Sequence, residues 1–290
     1  MKVIILGTAA GGGLPQWNCA CDLCVRARAG DPSVPGRTQD CVVVSATGRD
    51  WYLLNASPDL RAQLTATPEL APGPGRRETP LRGVLLTDAE LDHTLGLTFL
   101  REGAELTVWA PPPVLDHLPL RPVLAHYRDW SWLPATEPFA IGDGLECTVL
   151  PLSGKRPRYA QAAPTAPDWV VAYRVHDPAT GGTLVYAPCV AELPPGFADF
   201  VADADHVLLD GTFHTAGEMS TATAGGTTDQ RRMGHLPITE SLPLLPDGGI
   251  RWHYTHLNNT NPVADRASPE HTAVSAAGAT VPLDGTRLEI

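Results

Sequence analysis

The chain has 290 residues, 43% of them hydrophobic and 18% charged, a balance that fits a folded protein with a large core and excludes a disordered polymer. A formal net charge of −11 argues against a nucleic-acid backbone as the main partner. No apolar run reaches the length of a membrane span, and Val3 to Leu6 is too short for the core of a secretion signal, so the expected compartment is the cytoplasm.

Lys2 to Leu6 reads as a first strand, followed by a glycine loop, Gly7 to Gly13. That loop lacks the Gly-Lys-Ser/Thr ending of a phosphate-binding loop, so a tight turn with close backbone approach is the better reading. Cys19, Cys21 and Cys24 follow within six residues. Thiolates at this spacing can converge on one Zn²⁺, with a fourth ligand from elsewhere, and in a cytosolic chain this crowding favours a metal over a disulfide. Cys41, Cys147 and Cys189 lie in apolar strand-like runs and read as core residues. Residues 40–45 and 50–54 form a candidate strand pair around a Thr47-Gly48 turn, and Ser57-Pro58 is a helix-opening pattern.

Residues 82–101 carry the densest signal. Gly83 to Thr87 has the length and apolarity of a buried strand, Leu91 to Leu100 has a helical apolar face, and Asp88, Glu90, Asp92 and His93 stand between them. An acid at such a turn is an ordinary helix cap, but that does not explain the histidine. Ligands in open α/β architectures gather beyond the carboxyl ends of strands, where these four groups would lie. Residues 105–110 are a further strand, and 113–133 a helix and an aromatic loop. Residues 145–153 and 168–175 are strands joined by a loop, 154–167, that could reach over a site. Thr183 to Ala187 and His206 to Leu209 are two more strands, the second ending at Asp210. Residues 215–234 are small and polar, a candidate lid, with His235 just before an apolar helical segment. Residues 250–255 are a late strand ending at His256, Ser268-Pro269 opens a last helix, and 280–290 carry closing strands.

Strands outnumber helices and each candidate ligand follows an apolar strand, so the whole chain, residues 1–290, is expected to be one α/β domain in which a β-sandwich is flanked by helices. Asp92-His93, Asp210 and His256 then end three different strands. Two imidazoles and a carboxylate can hold a divalent ion with open positions, a set suited to Fe(II) oxygen chemistry as well as to Zn²⁺ hydrolysis.

Thr87 to His93 with Gly96 resembles the metal-binding turn of the metallo-β-lactamase superfamily, whose usual form is His-x-His-x-Asp-His. Several motifs in order more closely resemble the pyrroloquinoline quinone biosynthesis protein B family. They are Gln16-Trp17-Asn18-Cys19 with Cys21 and Cys24, Asn55 to Asp59, Asp210 to Phe213, Met233-Gly234-His235, and His256 to Pro262. The resemblance implies an αββα sandwich, a structural zinc on the three cysteines, and a second metal at Asp92, His93 and His256, with Asp210 a further ligand. It implies an iron- and O₂-dependent hydroxylase of the tyrosine in a ribosomal peptide or peptide-derived precursor. The alternatives are a metallohydrolase such as a phosphodiesterase, or a non-catalytic carrier of the quinone or its precursor.

The chain departs from the wider superfamily at several positions. Asp88 and Glu90 replace two histidines, residues 152–155 offer no histidine, and Tyr186 to Cys189 lacks the bridging aspartate. These losses should cripple one metal position and spare the other, leaving a mononuclear site with Asp88 and His235 as ligand-orienting or base candidates. Related cysteine-cluster enzymes use a histidine where this chain has Asn259, so the fourth zinc position is open between Asn259, His256 and water.

Overall fold

Val3 and Ile5 point to one side of the first strand, Ile4 and Leu6 to the other, and all four are buried. A strand buried on both faces needs a layer on each side. The computed structural model, which describes residues 1–103, 105–136, 138–219, 233–246 and 249–290, supplies both layers. Val3, Ile5, Val42, Val44, Leu54 and Leu85 meet Cys147, Val171, Tyr173, Tyr186 and Leu208 in a core between two sheets. Ile4, Leu6, Val43, Leu53 and Val84 pack instead with Leu60, Leu97 and Val114 of the helical segments over the first sheet. A matching outer cluster covers the second sheet, from Val185, Val207 and Leu209 to Phe197, Val201, Ile238 and Val274. Burying each such side chain stabilises the fold by about 1.5–3 kcal/mol, so a one-residue slip of any central strand is strongly opposed. The result is an αββα sandwich.

Thirteen strands are named among the described residues. The first sheet runs in the order β13 (Thr286–Glu289), β1 (Lys2–Gly7), β2 (Cys41–Ser45), β3 (Trp51–Leu54), β4 (Leu81–Leu85), β5 (Thr107–Ala110) and β6 (Ser131–Pro134). The second runs β12 (Arg251–Thr255), β11 (His206–Asp210), β10 (Thr183–Ala187), β9 (Val170–His176), β8 (Leu145–Ser153) and β7 (Phe139–Ile141). Strands β3 to β6 are mutually parallel, as are β10 to β12. Their carboxyl ends therefore bring residues 55, 86–88, 188–190, 211–213 and 256 together, which places the site.

Several elements differ from the expectation. The segment after Asp92 is one α-turn, Leu91–Thr94, running into a 3₁₀ stretch, Leu95–Glu102. Gly96 explains the tightening: its N–H donates to Ala56 O at 2.9 Å, and a Cβ there would overlap the Ala56 and Ser57 backbone. Strands β6 and β7 were not expected; both are short, and Ser131–Pro134 is largely exposed, so neither shows an alternating pattern. Ser57 does not cap a helix directly, since the helix starts at Leu60 and Ser57 Oγ accepts from Asp59 N–H at 3.2 Å. Ser268 does cap, accepting from His271 N–H at 3.0 Å. Among the described residues no helix is long and apolar enough to cross a membrane.

Away from the strands' carboxyl ends lies a second pair of imidazoles. His206 Nδ1 and His253 Nε2 are 2.7 Å apart and share one hydrogen, while His253 Nδ1 meets Thr280 Oγ1 at 2.6 Å. Burial, with Arg251 nearby, lowers His206 to about 4; burial, with His206 and Arg251, lowers His253 to about 4. The unfolded chain takes up these protons near the ordinary value of about 6.5, before the folded chain does. The pair's contribution to stability is therefore complete above about pH 6.5 and declines as pH falls toward 4. Chemical denaturation midpoints should drop across that window, and His253→Gln should flatten the drop; equal slopes for the two chains would refute this assignment.

Candidate metal centre

The site is built at the meeting of the two sheets. Asn55, held at φ 62°, donates from Nδ2 to Thr87 Oγ1 at 2.9 Å and accepts from Thr87 N–H at Oδ1, also at 2.9 Å. This clasp ties the ends of β3 and β4. Beneath it Asp40 accepts from Tyr186 OH at 2.8 Å and from Thr255 Oγ1 at 2.7 Å, so one buried carboxylate links both sheets below the site.

On the first sheet's side, Asp88 Oδ1 accepts the Glu90 N–H at 2.8 Å and its Oδ2 holds His93 Nδ1 at 2.7 Å. With Nδ1–H committed to Asp88, the neutral tautomer presents Nε2 outward. That Nε2 is buried and has no hydrogen-bond partner among the described residues. A buried imidazole nitrogen aimed into a cavity without a partner is costly unless a ligand completes it, and a metal ion is the ligand imidazole most commonly takes there.

The second sheet's side mirrors this arrangement. His256 stands just past β12 at φ 58°, a left-handed position uncommon for a residue with a side chain, and worth a look for function where it occurs. Its Nδ1 donates to Thr212 Oγ1 at 2.8 Å, and Thr212 Oγ1 donates to Asp210 Oδ1 at 2.6 Å. Nε2 of His256 is thereby turned toward Asp92 Oδ2, 3.3 Å away, and the His93 and His256 rings stand 5.1 Å apart, edge to face. Asp92 packs against Gly11, where a Cβ would lie 3.0 Å from its Oδ2, so the glycine loop is a close-approach turn.

Burial alone would raise Asp88, Asp92 and Asp210, and the facing imidazoles outweigh it, holding all three carboxyls below their usual range. Burial would lower His93, and Asp88 and Asp92 outweigh that, holding it well above an ordinary histidine. Such a cluster of acids around imidazoles stabilises a cation placed between them. Asp92, His93 and His256 line one cavity, with Asp92 beside His256 and the two imidazoles facing each other; two nitrogens and one carboxylate would suit Fe(II) or Zn²⁺ better than Mg²⁺ or Ca²⁺.

Asp210 lies in a potential ligand group, and both its oxygens are also engaged by protein donors. Oδ1 accepts the N–H and Oγ1–H of Thr212 at 2.9 and 2.6 Å, while Oδ2 accepts the Val190 N–H and meets His235 Nδ1, both at 2.8 Å. Four partners leave it no lone pair for an ion, although Asp210, His235 and His256 lie close enough together to form a potential ligand group. The geometry makes Asp210 an orienting group for His235 and His256. Asp88 has the same role toward His93, and His235 lines the cavity with its Nδ1 engaged.

The cavity measures about 840 Å³. Asp92, His93, His235 and His256 stand along it, and the loop after β8 forms a wall through Lys155, Arg156, Arg158 and Tyr159, as expected for a segment reaching over the site. Tyr159 OH donates to Ala89 O at 2.6 Å, which ties that loop to the metal turn. Residues 220–232 of the candidate lid lie outside the described residues. Thr212 was missed by sequence reading, because its role depends on partners 23 and 44 residues away. Cys189 lies in the core cluster over the second sheet, as expected, and also lines the cavity.

The three cysteines converge as expected, their sulfurs within 4.8 Å of one another. Asn259 faces the cluster, its Nδ2 donating toward the sulfurs of Cys19, Cys21 and Cys24 at 3.2, 3.6 and 3.4 Å. His256 is turned away from this cluster toward Asp92, which removes it as the fourth zinc ligand.

Fold and site together define a member of the metallo-β-lactamase superfamily, and the family profile described as the Beta-lactamase superfamily domain matches residues 50–255. The chain is 38% identical to coenzyme PQQ synthesis protein B of Methylorubrum populi and to that of Azoarcus sp., each alignment covering 100% of both chains. The crystal structure of Zn²⁺-bound PqqB from Methylobacterium extorquens superposes with a TM-score of 0.92 at 38% identity, again over 100% of both chains. A diphosphatase of the PhnP family, 18% identical with a TM-score of 0.69 over 100% of this chain and 96% of that one, shares the fold. The chain belongs to the coenzyme PQQ synthesis protein B family.

Thr212→Val removes the hydroxyl that joins Asp210 to His256. Ion affinity at the cavity should fall by on the order of 10- to 100-fold, the usual loss for a partner behind a ligand, while the cysteine cluster keeps its ion. Metal titration with counting per chain checks this; unchanged affinity at the cavity would remove Thr212 from the site.

Proposed function

We propose that this protein is a non-haem iron hydroxylase which uses O₂ to oxidise the tyrosine ring of a ribosomal peptide or peptide-derived precursor on the way to pyrroloquinoline quinone. The observation that carries this reading is the engagement of Asp88 and Glu90, the two residues standing where a binuclear hydrolase has histidines. Asp88 is bound to His93, and Glu90 Oε1 to Lys155 Nζ at 2.9 Å. Both carboxylates are thus drawn toward protein partners, which supports a single ion at Asp92, His93 and His256 over the two-ion clamp of a hydrolase. The names of the family's members support the pathway.

Fe(II) bound at these residues would supply O₂ activation. Overall, one oxygen atom enters the ring and the other leaves as water, with two electrons from a reductant and two protons. The chain's residues do the rest. Asp88 and the Asp210–Thr212 pair hold the two imidazoles in the ligating tautomer. His235, its Nδ1 held by Asp210, has Nε2 as the atom for moving a proton at the cavity wall. The loop after β8 positions the substrate. Lys155 is paired with Glu90 and Arg156 donates to Ala163 O, whereas Arg158 is exposed at the cavity and has no partner among the described residues. In a chain of net charge −11, cations gathered at this wall suit a substrate bearing carboxylates.

Anaerobic reconstitution with Fe(II), addition of a tyrosine-bearing precursor and a reductant, and return to air should consume O₂ and add one oxygen atom to the substrate by mass. Absence of both, with iron bound and the precursor shown to bind, would end the proposal. Arg158→Ala should raise KM by roughly ten-fold or more, the loss of one charge-assisted pair, and leave kcat much less changed. An unaltered KM would remove Arg158 from substrate binding.

A further inference from the structure

We infer that Cys189 is a fourth protein donor to the ion held by Asp92, His93 and His256, which makes the centre a mixed carboxylate, imidazole and thiolate site. The inference rests on the mononuclear reading above and deepens it. Three independent observations place the sulfur. Cys189 Sγ and the ligand nitrogens of His93 and His256 all lie within 4.8 Å of one another. His93 is 1% exposed, and its Nε2, the nitrogen not engaged by Asp88, has no hydrogen-bond partner among the described residues. Cys189 lines the cavity itself, and its sulfur makes no hydrogen bond among the described residues.

The other buried cysteines away from the zinc cluster behave differently. Cys41 Sγ donates to Asn55 O at 3.2 Å, and Cys147 packs in the core between the sheets. Backbone geometry fixes Cys189 where it is. It lies two residues past β10, and the next residue, Val190, donates its N–H to Asp210 Oδ2 at 2.8 Å and accepts from Leu236 N–H. Asp210 therefore holds the loop carrying the sulfur and, through Thr212, the His256 ring. A four-coordinate ion with nitrogen and sulfur donors at about 2.0–2.3 Å has donor-to-donor separations of roughly 3.3–3.8 Å. For Cys189, His93 and His256, closing from at most 4.8 Å takes rotamer adjustments of about an ångström or less per group.

Coordination forms one sulfur–metal bond and releases the thiol proton to solvent, with no oxidant or reductant consumed. A thiolate shifts the preference of the site toward Fe(II), Co(II) and Zn²⁺ and away from Mg²⁺ and Ca²⁺. It also separates the metals by coordination number. Four protein donors close a tetrahedral zinc, whereas a five- or six-coordinate Fe(II) keeps one or two positions free.

The test is Co(II) added anaerobically to protein that retains one zinc on the cysteine cluster, followed by metal counting and absorption. The wild-type chain should bind one cobalt with a near-ultraviolet sulfur-to-cobalt charge-transfer band. Cys189→Ser should lose that band while still taking up cobalt at weaker affinity. Cys189→Asp supplies a folded comparison if the serine variant is unstable, since a carboxylate keeps an ion donor there and should also abolish the band. A band that persists in either loaded variant, or a wild-type chain that binds cobalt without one, overturns the assignment of Cys189 and leaves the mononuclear centre standing. A wild-type chain that takes up no cobalt beyond the zinc overturns the centre itself.

Discussion

A partner on the Nδ1 side of an imidazole decides which nitrogen is left for a ligand, and this chain applies that constraint from both sheets. Asp88 does it for His93 at 2.7 Å, and Thr212, itself held by Asp210, does it for His256 at 2.8 Å. These partners are buried, so the hydrogen bonds are strong and the rings cannot turn without giving one up. The rest of the site follows. With His93 and His256 facing one another across the cavity and Asp92 beside His256, the proposed ion would sit among them.

The same residues account for what the site lacks. An acid that replaces a histidine ligand could in principle still hold metal. Here Asp88 has been drawn behind His93 and Glu90 outward to Lys155. A carboxylate behind a ligand raises that ligand's basicity, so one substitution both weakens the second metal position and strengthens the first. On the proposed reading, the departure from a two-metal pattern is a redistribution of charge toward a single centre.

Much of this architecture was legible from residue order. The strands that meet in the core show themselves as apolar runs of the right length, and Asp92-His93 with Gly96 marked the turn because glycine is needed where residue 96 abuts the Ala56 and Ser57 backbone. The three cysteines announced their convergence by spacing. Other features were hidden for definite physical reasons. Asp210 ends a strand as a ligand would, and only its four donors in three dimensions reveal that it is fully engaged. Thr212 and Cys189 look like ordinary strand-end residues, because their partners come from distant parts of the chain. Strands Ser131–Pro134 and Phe139–Ile141 sit at the margins of their sheets, where one-sided burial and shortness erase the pattern.

The cysteine cluster and the cavity are joined by one turn, and this gives the cluster a reason to exist. His256 adopts a left-handed backbone conformation that costs of order 1–3 kcal/mol and persists only where its surroundings impose it. Those surroundings begin immediately after it. Leu257 is bonded to the first sheet's glycine loop through Thr8 O and Ala10 N–H. Asn259 lays its amide across the three sulfurs, and Asn261 donates to Gly211 O at 2.7 Å while capping the next turn through Val263 N–H. An ion on the cysteines would therefore hold Asn259, three residues from His256, from the side opposite the cavity. An ion on Cys19, Cys21 and Cys24 would thus brace, from a distant part of the chain, the loop whose first residue is the strained His256.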